Sequence, residues 1–402
     1  MTKSSAHDVE KVREFLERGV ENVYPSKDFV EKKLLSERSS VYLGLDPTGP
    51  TLHIGHAFQF RKLSLLQKLG HKIILLIGDF TAMIGDPTDK TAARIRLTRE
   101  QVLENAKNYQ KQASTFLDFE GPNKAELKYN SEWLAKMNFE QVLDLAAHMT
   151  VEQMLKRDMF DRRITEGKPI YIHEFMYPLM QGYDSVVLGV DGEIGGNDQT
   201  FNMLAGRTLA KQMQNREKFV VSFKLLTDTN GKKMGKSEGN MITLQDTPQE
   251  MFGKVLSWTD GMILPGFELC TDVSAAEMGQ IAKDIAAGEN PKLAKVRLAK
   301  EIITLYHGKK AADEAEAGFQ SAFVKGGLPA DTPEAVATKG ADLYSVLKAA
   351  GLVASKGELR RLVEEGAVSE IGGDKISSID FAFEKDMDLK VGKRRFLKVR
   401  VS

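Results

Sequence analysis

Between residues 40 and 225, short apolar runs alternate with stretches whose apolar residues recur every three or four positions. The runs "SVYLGLD" (40–46), "HKIILLIGDF" (71–80), "SVVLGVD" (185–191) and "KFVVSF" (218–223) are rich in aliphatic and β-branched side chains and predict strands. Between them, "GHAFQFRKLSLLQKLG", "TREQVLENAKNYQKQASTFLDF" and "DQTFNMLAGRTLAKQM" carry helical periodicity. That alternation implies an α/β fold with a mostly parallel sheet and helices on both faces. Ligands of such sheets sit beyond the carboxyl ends of the strands, and the turn after "YLGLD" is one such place.

Beyond residue 245 the strand signal stops. "TPQEMFGKVLSW", "SAAEMGQIAKDIAAG", "PKLAKVRLAKEIITLYHG" and "KAADEAEAGFQSAFVKG" all predict helices, the third opened by Pro291, and together they read as a separate helical domain. "GGLPADTPEAVATKG" (326–340) has no periodicity and reads as a linker. A small third unit follows, with a helical "SKGELRRLVEEG", a β-like "AVSEIGGDKI" and the basic "VGKRRFLKVR". The start of the chain is a charged amphipathic pattern without an apolar signal core.

Composition narrows the class of protein. The 402 residues carry 56 basic and 56 acidic side chains, so an anionic partner must be met by local patches and not by an overall field. A single cysteine, Cys270, excludes a disulfide framework within the chain and a cysteine-rich zinc site, and suits a reducing compartment. No run approaches the ~20 apolar residues of a membrane span, and the expected location is the cytoplasm.

The candidate chemistry starts at "HIGH" (53–56), two imidazoles around Gly55 between a predicted strand and a predicted helix. Histidines three apart on a helix can share zinc, but no glutamate or third ligand stands at a zincin-like spacing, so no metal site is expected. Two structural histidines at a helix start, or two hydrogen-bond donors to a phosphate held at that helix N-terminus, remain. Downstream, "NGKKMGKSEGN" (230–240) puts Lys233, Lys236 and Ser237 in a glycine-rich loop. It reads either as a solvated basic loop or as a mobile clamp on a leaving pyrophosphate. It does not match the G-x-x-x-x-G-K-[ST] cradle.

"HIGH" with "KMGKS" (233–237), in this order on an α/β pattern, resembles the paired motifs of the class I aminoacyl-tRNA synthetases. Along nearly the whole chain the surrounding residues are similar to the bacterial tyrosine-specific branch of that family. Gly235 departs from the commonest form of the loop, which has serine there, but both lysines are kept. The resemblance implies a Rossmann-like catalytic domain (1–225), then the loop, an α-helical anticodon-binding domain and a linker (226–335), and an α+β S4-like RNA-binding domain (336–402).

Spacing adds a pocket. In "FMYPLMQGYD" (175–184), Tyr177, Gln181 and Asp184 lie four and three residues apart, so on a helix they share one face among apolar neighbours. Such a stripe is either a buried structural network or a binding surface. The resemblance favours a tyrosine site, with Tyr42 and Asp184 on the phenolic hydroxyl, Tyr177, Gln181 and Asp86 on the α-ammonium, and Thr81 and Asn130 nearby. It likewise implies ATP contacts at Gly44, Asp46, Thr48, Gly55, Lys90, Arg94, Gly195, Gly196, Asp198, Gln199 and Lys236, and RNA contacts at Ser355, Lys356, Arg360 and Arg361. The implied substrates are L-tyrosine, ATP with its Mg²⁺, and tRNA-Tyr. Homodimerisation is implied too, and the methionine-rich helical stretch "LAAHMTVEQMLKRDMF" within 120–170 is either its surface or a plain core helix. A tryptophan-specific relative is the nearest alternative, and Tyr42 with Asp184 argues against it, because an indole N–H offers no lone pair to a donating hydroxyl.

Overall fold

A computed structural model of the chain describes residues 5–86, 97–227, 241–320, 332–371, 373–392 and 395–402. Two compact units emerge, the first made of residues 1–246 and 258–294, the second of 247–257 and 295–402.

The first unit is built on six strands, β1 (Val20–Tyr24), β2 (Ser40–Leu45), β3 (Lys72–Ile77), β4 (Glu126–Tyr129), β5 (Gly192–Gly196) and β6 (Phe219–Phe223), in the order β1-β6-β5-β2-β3-β4. All neighbours are parallel except β1, which runs antiparallel to β6. From β2 the chain winds outward to β3 and β4, then returns to place β5 on the other side of β2. The connections therefore leave in opposite directions at β2 and β5, which opens a crevice at their carboxyl ends.

β5 and β6 are buried along their whole length, as is most of β3. Covered on both faces, parallel strands tend to read as continuous apolar runs, and β2, β3 and β6 lie where the sequence predicts them. β1 ("VENVY") and β4 ("ELKY") are half-buried edges whose charged residues hide them from that criterion. Residues 185–191 are a correction: through Leu188 they finish the helix Ile172–Leu188, Gly189 closes it in the left-handed region (φ 56°), and the strand begins at Gly192. Its sequence, "GEIGG", lacks the expected side chains for a physical reason. A Cβ on Gly192 would stand 2.1 Å from the ring of Phe219 on β6, so only glycine admits that ring against the sheet.

Two helices cover the crevice side by side, Ile172–Leu188 and Thr200–Gln214. Their backbones approach closely at Gly182, where a Cβ would lie 2.8 Å from Leu209 and 3.1 Å from the Gly206 nitrogen. Elsewhere, the Arg18 guanidinium donates to the carbonyls of Phe267, Glu268, Thr271 and Val273 and so closes the C-terminal end of the helix Ile263–Cys270.

His71, 3% exposed before β3, accepts from the Ser39 amide through Nδ1 at 3.2 Å, and burial holds it at about 4 against an ordinary 6.5. Between those values the unfolded chain binds a proton that the folded chain refuses. Stability is therefore expected to be full above pH ~6.5 and to fall as the pH drops toward 4, by up to about 3 kcal/mol for this group. Urea midpoints across that window, against a His71→Asn variant with a flatter profile, check it.

In the second unit, the helices Pro248–Leu256 and Lys309–Phe319 pack through Phe252 and Phe319, whose ring centroids are 5.2 Å apart. The chain then forms a four-stranded sheet, β7-β12-β11-β9, from β7 (Glu334–Ala337), β9 (Val368–Glu370), β11 (Met387–Val391) and β12 (Arg395–Val401). A two-stranded pair joins β8 (Ala341–Asp342) to β10 (Ala382–Phe383). Leu343, Leu347, Leu359, Leu389 and Leu397 fill its core. β7 corrects the linker reading for residues 334–337: it is a four-residue edge strand held by parallel pairing with β12, a long-range partner that local composition does not reveal. Residues 326–331 lie outside the described residues. Among the described residues, no helix is long and apolar enough to cross a membrane.

Candidate active site

A cavity of about 530 Å³ opens at the carboxyl ends of β2, β3 and β5. His53 and His56 line it from the first turn of the helix Ile54–Lys68, for which His53 is the N-cap. The His53 Nδ1 accepts from the Gly55 amide at 3.1 Å, and the His56 Nδ1 accepts from the His53 amide at 3.2 Å. With Nδ1 an acceptor in both rings, each proton sits on Nε2 and each imidazole is neutral. Burial pulls His53 down to about 4 and, with His53 beside it, holds His56 well below 6.5. The two rings, 3.9 Å apart, thus act at neutral pH as uncharged N–H donors.

On the flanks, the segment re-emerging at Met241 is tied to the same turn. The Ile54 amide donates to the Ile242 carbonyl and the Leu244 amide to the Leu52 carbonyl. Leu225, Leu226 and Met241, which flank residues 228–240 in the sequence, line the cavity. Lys233, Lys236 and Ser237 themselves lie outside the described residues, as do Lys90 and Arg94.

Tyr177, Gln181 and Asp184 share a face of the helix Ile172–Leu188 and line the cavity, as their spacing predicts. Asp184 is 2% exposed and receives the Trp133 Nε1–H at 2.7 Å and the Asn130 amide at 3.2 Å. Burial raises its carboxyl well above the usual carboxylate range; those two donors oppose the rise, and Glu193 and Asp46 add to it. Tyr42, fully buried on β2, bonds to the Ser185 hydroxyl at 2.9 Å. In this state the Tyr177 hydroxyl donates to Asp46 and the Gln181 amide to Glu193, so both polar groups are already engaged. Thr81 donates to the other Asp46 oxygen at 2.7 Å and accepts from Asn130. Asp86 is held by Arg157 at 2.6 Å and by Gln199 at 2.8 Å.

Gly44, Thr48, Gly55, Gly195, Gly196 and Asp198 also line the cavity. Far along the chain, in the second unit, Ser355 caps the helix Lys356–Glu364 by accepting from the Glu358 amide. That helix buries Leu359, Leu362 and Val363 and leaves Lys356, Arg360 and Arg361 exposed.

Five polar residues of the site escape the sequence reading: Trp133, Arg157, Ser185, Glu193 and Lys218. The ions among them carried a signal, because a charge inside or beside an apolar strand, as in "GEIGG" and "KFVVSF", must find a partner. Adjacent parallel strands bring that Glu193 and Lys218 together, both essentially inaccessible to solvent.

Gly78 makes room for the Asp46 cluster. A Cβ there would stand 2.0 Å from Asp46 Oδ1 and 2.4 Å from Thr81 Oγ1, so Gly78→Ala must displace both side chains. The expected result is a loss of ligand binding in the cavity of roughly tenfold or more, the scale of one or two broken charge-assisted hydrogen bonds, with the protein still folded. Calorimetric binding alongside a melting curve checks this.

Residues 34–324 match the family described as tRNA synthetases class I (W and Y). The chain is 46% identical to the tyrosine–tRNA ligase of Carboxydothermus hydrogenoformans over 98% of both chains. It is 43% identical to that of Haemophilus ducreyi, over 98% of this chain and all of the relative. Its fold matches the tyrosyl-tRNA synthetase of Archaeoglobus fulgidus, solved with L-tyrosine, at a TM-score of 0.60 and 22% identity, over 77% of this chain and 99% of that one. A C-terminally truncated mitochondrial tyrosyl-tRNA synthetase from Aspergillus nidulans matches at 0.62 and 24% identity, over 79% and 94%.

Proposed function

The chain belongs to the class I tRNA synthetases of the tryptophan and tyrosine group and joins tyrosine to tRNA as a ligase; we propose that the cavity at β2 and β5 does so with the residues it gathers. In the first step a carboxylate oxygen of tyrosine bonds to the α-phosphorus of ATP as the bond to the β-phosphate oxygen breaks, giving tyrosyl-adenylate and pyrophosphate. In the second, a terminal ribose hydroxyl of the tRNA attacks the tyrosyl carbonyl, loses its proton and releases AMP. No enzyme nucleophile is required, so catalysis rests on positioning and on stabilising charge at phosphorus.

The observation that carries this reading is Asp184, a buried carboxylate at the cavity wall with two fixed donors and room for one more. A phenolic O–H fits that vacancy, and Tyr42 stands ready at the phenol oxygen. Tyr177, Gln181 and Asp86 take the α-ammonium. His53 and His56 donate through Nε2 to the phosphate oxygens. Gly44, Asp46, Thr48, Gly55, Gly195, Gly196, Asp198 and Gln199 hold the nucleotide, while Thr81 and Asn130 fix the Asp46 and Asp184 carboxylates. Lys90, Arg94, Lys233, Lys236 and Ser237 complete the site on sequence resemblance, receiving ATP with its Mg²⁺ and the departing pyrophosphate. The exposed basic face of the helix Lys356–Glu364 meets tRNA phosphates. The enzyme works in the cytoplasm. Charging of tRNA-Tyr with labelled tyrosine tests the whole reaction; absence of charging with a correctly folded enzyme contradicts it.

Exposed apolar residues support a homodimer. Phe139, Leu143, Val151, Ile164 and Ile172 are 52–82% exposed, an unusual density of large apolar side chains on one stretch of chain. Sedimentation is expected to give twice the chain mass, and a Phe139→Asp, Ile172→Asp double variant to give the monomer.

A further inference from the structure

Three donors converge on one buried carboxylate in the wall of the cavity. Glu193 Oε2 accepts from the Lys218 Nζ and, at 3.3 Å, from the Ser185 hydroxyl, while Oε1 accepts from the Gln181 amide nitrogen at 3.1 Å. Glu193 and Lys218 are both buried, and Gly206 leaves them the space, since a Cβ there would stand 2.7 Å from Lys218 Nζ. A buried ion pair stabilises a fold little, if at all, over two apolar side chains of the same size, so stability alone gives no reason for this one. Its effect on Gln181 does.

An amide has two edges, an oxygen that accepts and a nitrogen that donates, and either can be turned into a cavity. At Gln181 the carboxylate decides between them. Glu193 Oε1 has no proton to give, because Lys218 lies on Oε2 and any proton shared within the ion pair stays on that side. Gln181 therefore spends its nitrogen on Oε1 and keeps its own oxygen for the cavity that it lines. Among the described residues, no hydrogen bond ends on that Gln181 oxygen. The Tyr177 hydroxyl is arranged alike: its proton goes to Asp46 at 2.8 Å, which leaves its oxygen an acceptor. An ammonium brings three donors and no acceptor, and these two neutral groups with Asp86 make three acceptors for it.

We propose that Glu193, held by Lys218, is a positioning residue that fixes the Gln181 amide with its oxygen toward the cavity and so makes the site selective for a ligand that carries an ammonium group. The proposal rests on the tyrosine reading of the pocket, in which that ammonium is the substrate's. Without the carboxylate the amide turns. In Glu193→Gln the new side chain must keep its oxygen toward Lys218, which only donates, and so points its own NH2 at Gln181. Gln181 then answers with its oxygen and shows the cavity a donor where the ammonium needs an acceptor.

The test is equilibrium binding of tyramine and 4-ethylphenol, which differ only in the ammonium, so that the ratio of their dissociation constants gives the advantage of that group. In Glu193→Gln the advantage should fall about tenfold or more, the scale of one hydrogen bond to a charged group. A merely structural pair would weaken both ligands alike, and an unchanged ratio overturns the proposal. Because the substitution also strips Lys218 of its counter-charge, it is repeated in a Gln181→Met background, where the advantage is already reduced and should fall little further. A full drop in that background means that Lys218 repels the ammonium directly, and this too overturns the proposal. Where a melting curve shows Glu193→Gln unfolded, the double variant Glu193→Met, Lys218→Met removes both charges at once and takes its place. With nothing to hold the Gln181 nitrogen, its advantage should fall toward that of Gln181→Met, and an undiminished one overturns the proposal. If the wild type itself binds the two ligands alike, the tyrosine reading of the pocket fails and the proposal falls with it.

Discussion

Replacing His56 by alanine is expected to lower the rate of tyrosyl-adenylate formation by roughly 10²–10³, the effect of removing one preorganised donor to a developing oxyanion, with the KM for tyrosine changed little. The geometry requires this split. The His56 Nδ1 is occupied by the His53 amide, which leaves the Nε2–H as the ring's donor on a side chain that lines the cavity from a helix start. Such a donor gains most when negative charge grows on the phosphorus oxygens, and little in the ground state. Because burial keeps the imidazole neutral, its contribution should not vary between about pH 6 and 8. His56→Asn, which restores an N–H donor, should recover part of the loss. Pre-steady-state quenched flow gives the rate, and a melting curve confirms that each variant is folded.

A second large effect is expected at Asp184. Asp184→Ala removes the acceptor of the Trp133 and Asn130 donors together with that of the phenol, and each unsatisfied buried group costs about 1–3 kcal/mol. Two are orphaned without substrate, so the protein should be destabilised; the third appears only on binding, with a fall in kcat/KM for tyrosine of roughly 10- to 100-fold. Phenylalanine, which brings no proton to that oxygen, should lose far less. The raised carboxyl of Asp184 gives the effect a pH signature in the wild type. As the pH falls, Asp184 takes up a proton sooner than an ordinary aspartate and stops accepting, so the KM for tyrosine should rise on the acid side at a pH above the usual carboxylate range. Steady-state kinetics with both amino acids, with KM followed against pH, check these points.

Most of the layout of the cavity was legible because it depends on short-range patterns. A strand, a turn and a helix start place the two histidines, and spacings of four and three place Tyr177, Gln181 and Asp184 on one helix face. What the sequence did not carry is direction and pairing. Whether His53 and His56 are charged depends on which ring nitrogen meets a backbone amide, and whether Gln181 is free depends on Glu193, a residue on a neighbouring strand. The β5 strand was hidden for a similar reason. Its glycines serve close contacts such as the Phe219 ring over Gly192, and apolar residues just upstream that look like a strand are the buried end of a helix. β7 was hidden because a four-residue edge forms only when the last strand of the chain arrives beside it.

The claim on which the account turns is that this cavity recognises a phenol and activates the acid attached to it. Pyrophosphate exchange into ATP, measured in turn with tyrosine, phenylalanine and tryptophan, tests it most directly. Label should enter ATP when tyrosine is present, and the other two amino acids should support exchange only weakly. Equal exchange with phenylalanine, or exchange driven by tryptophan instead, would contradict it.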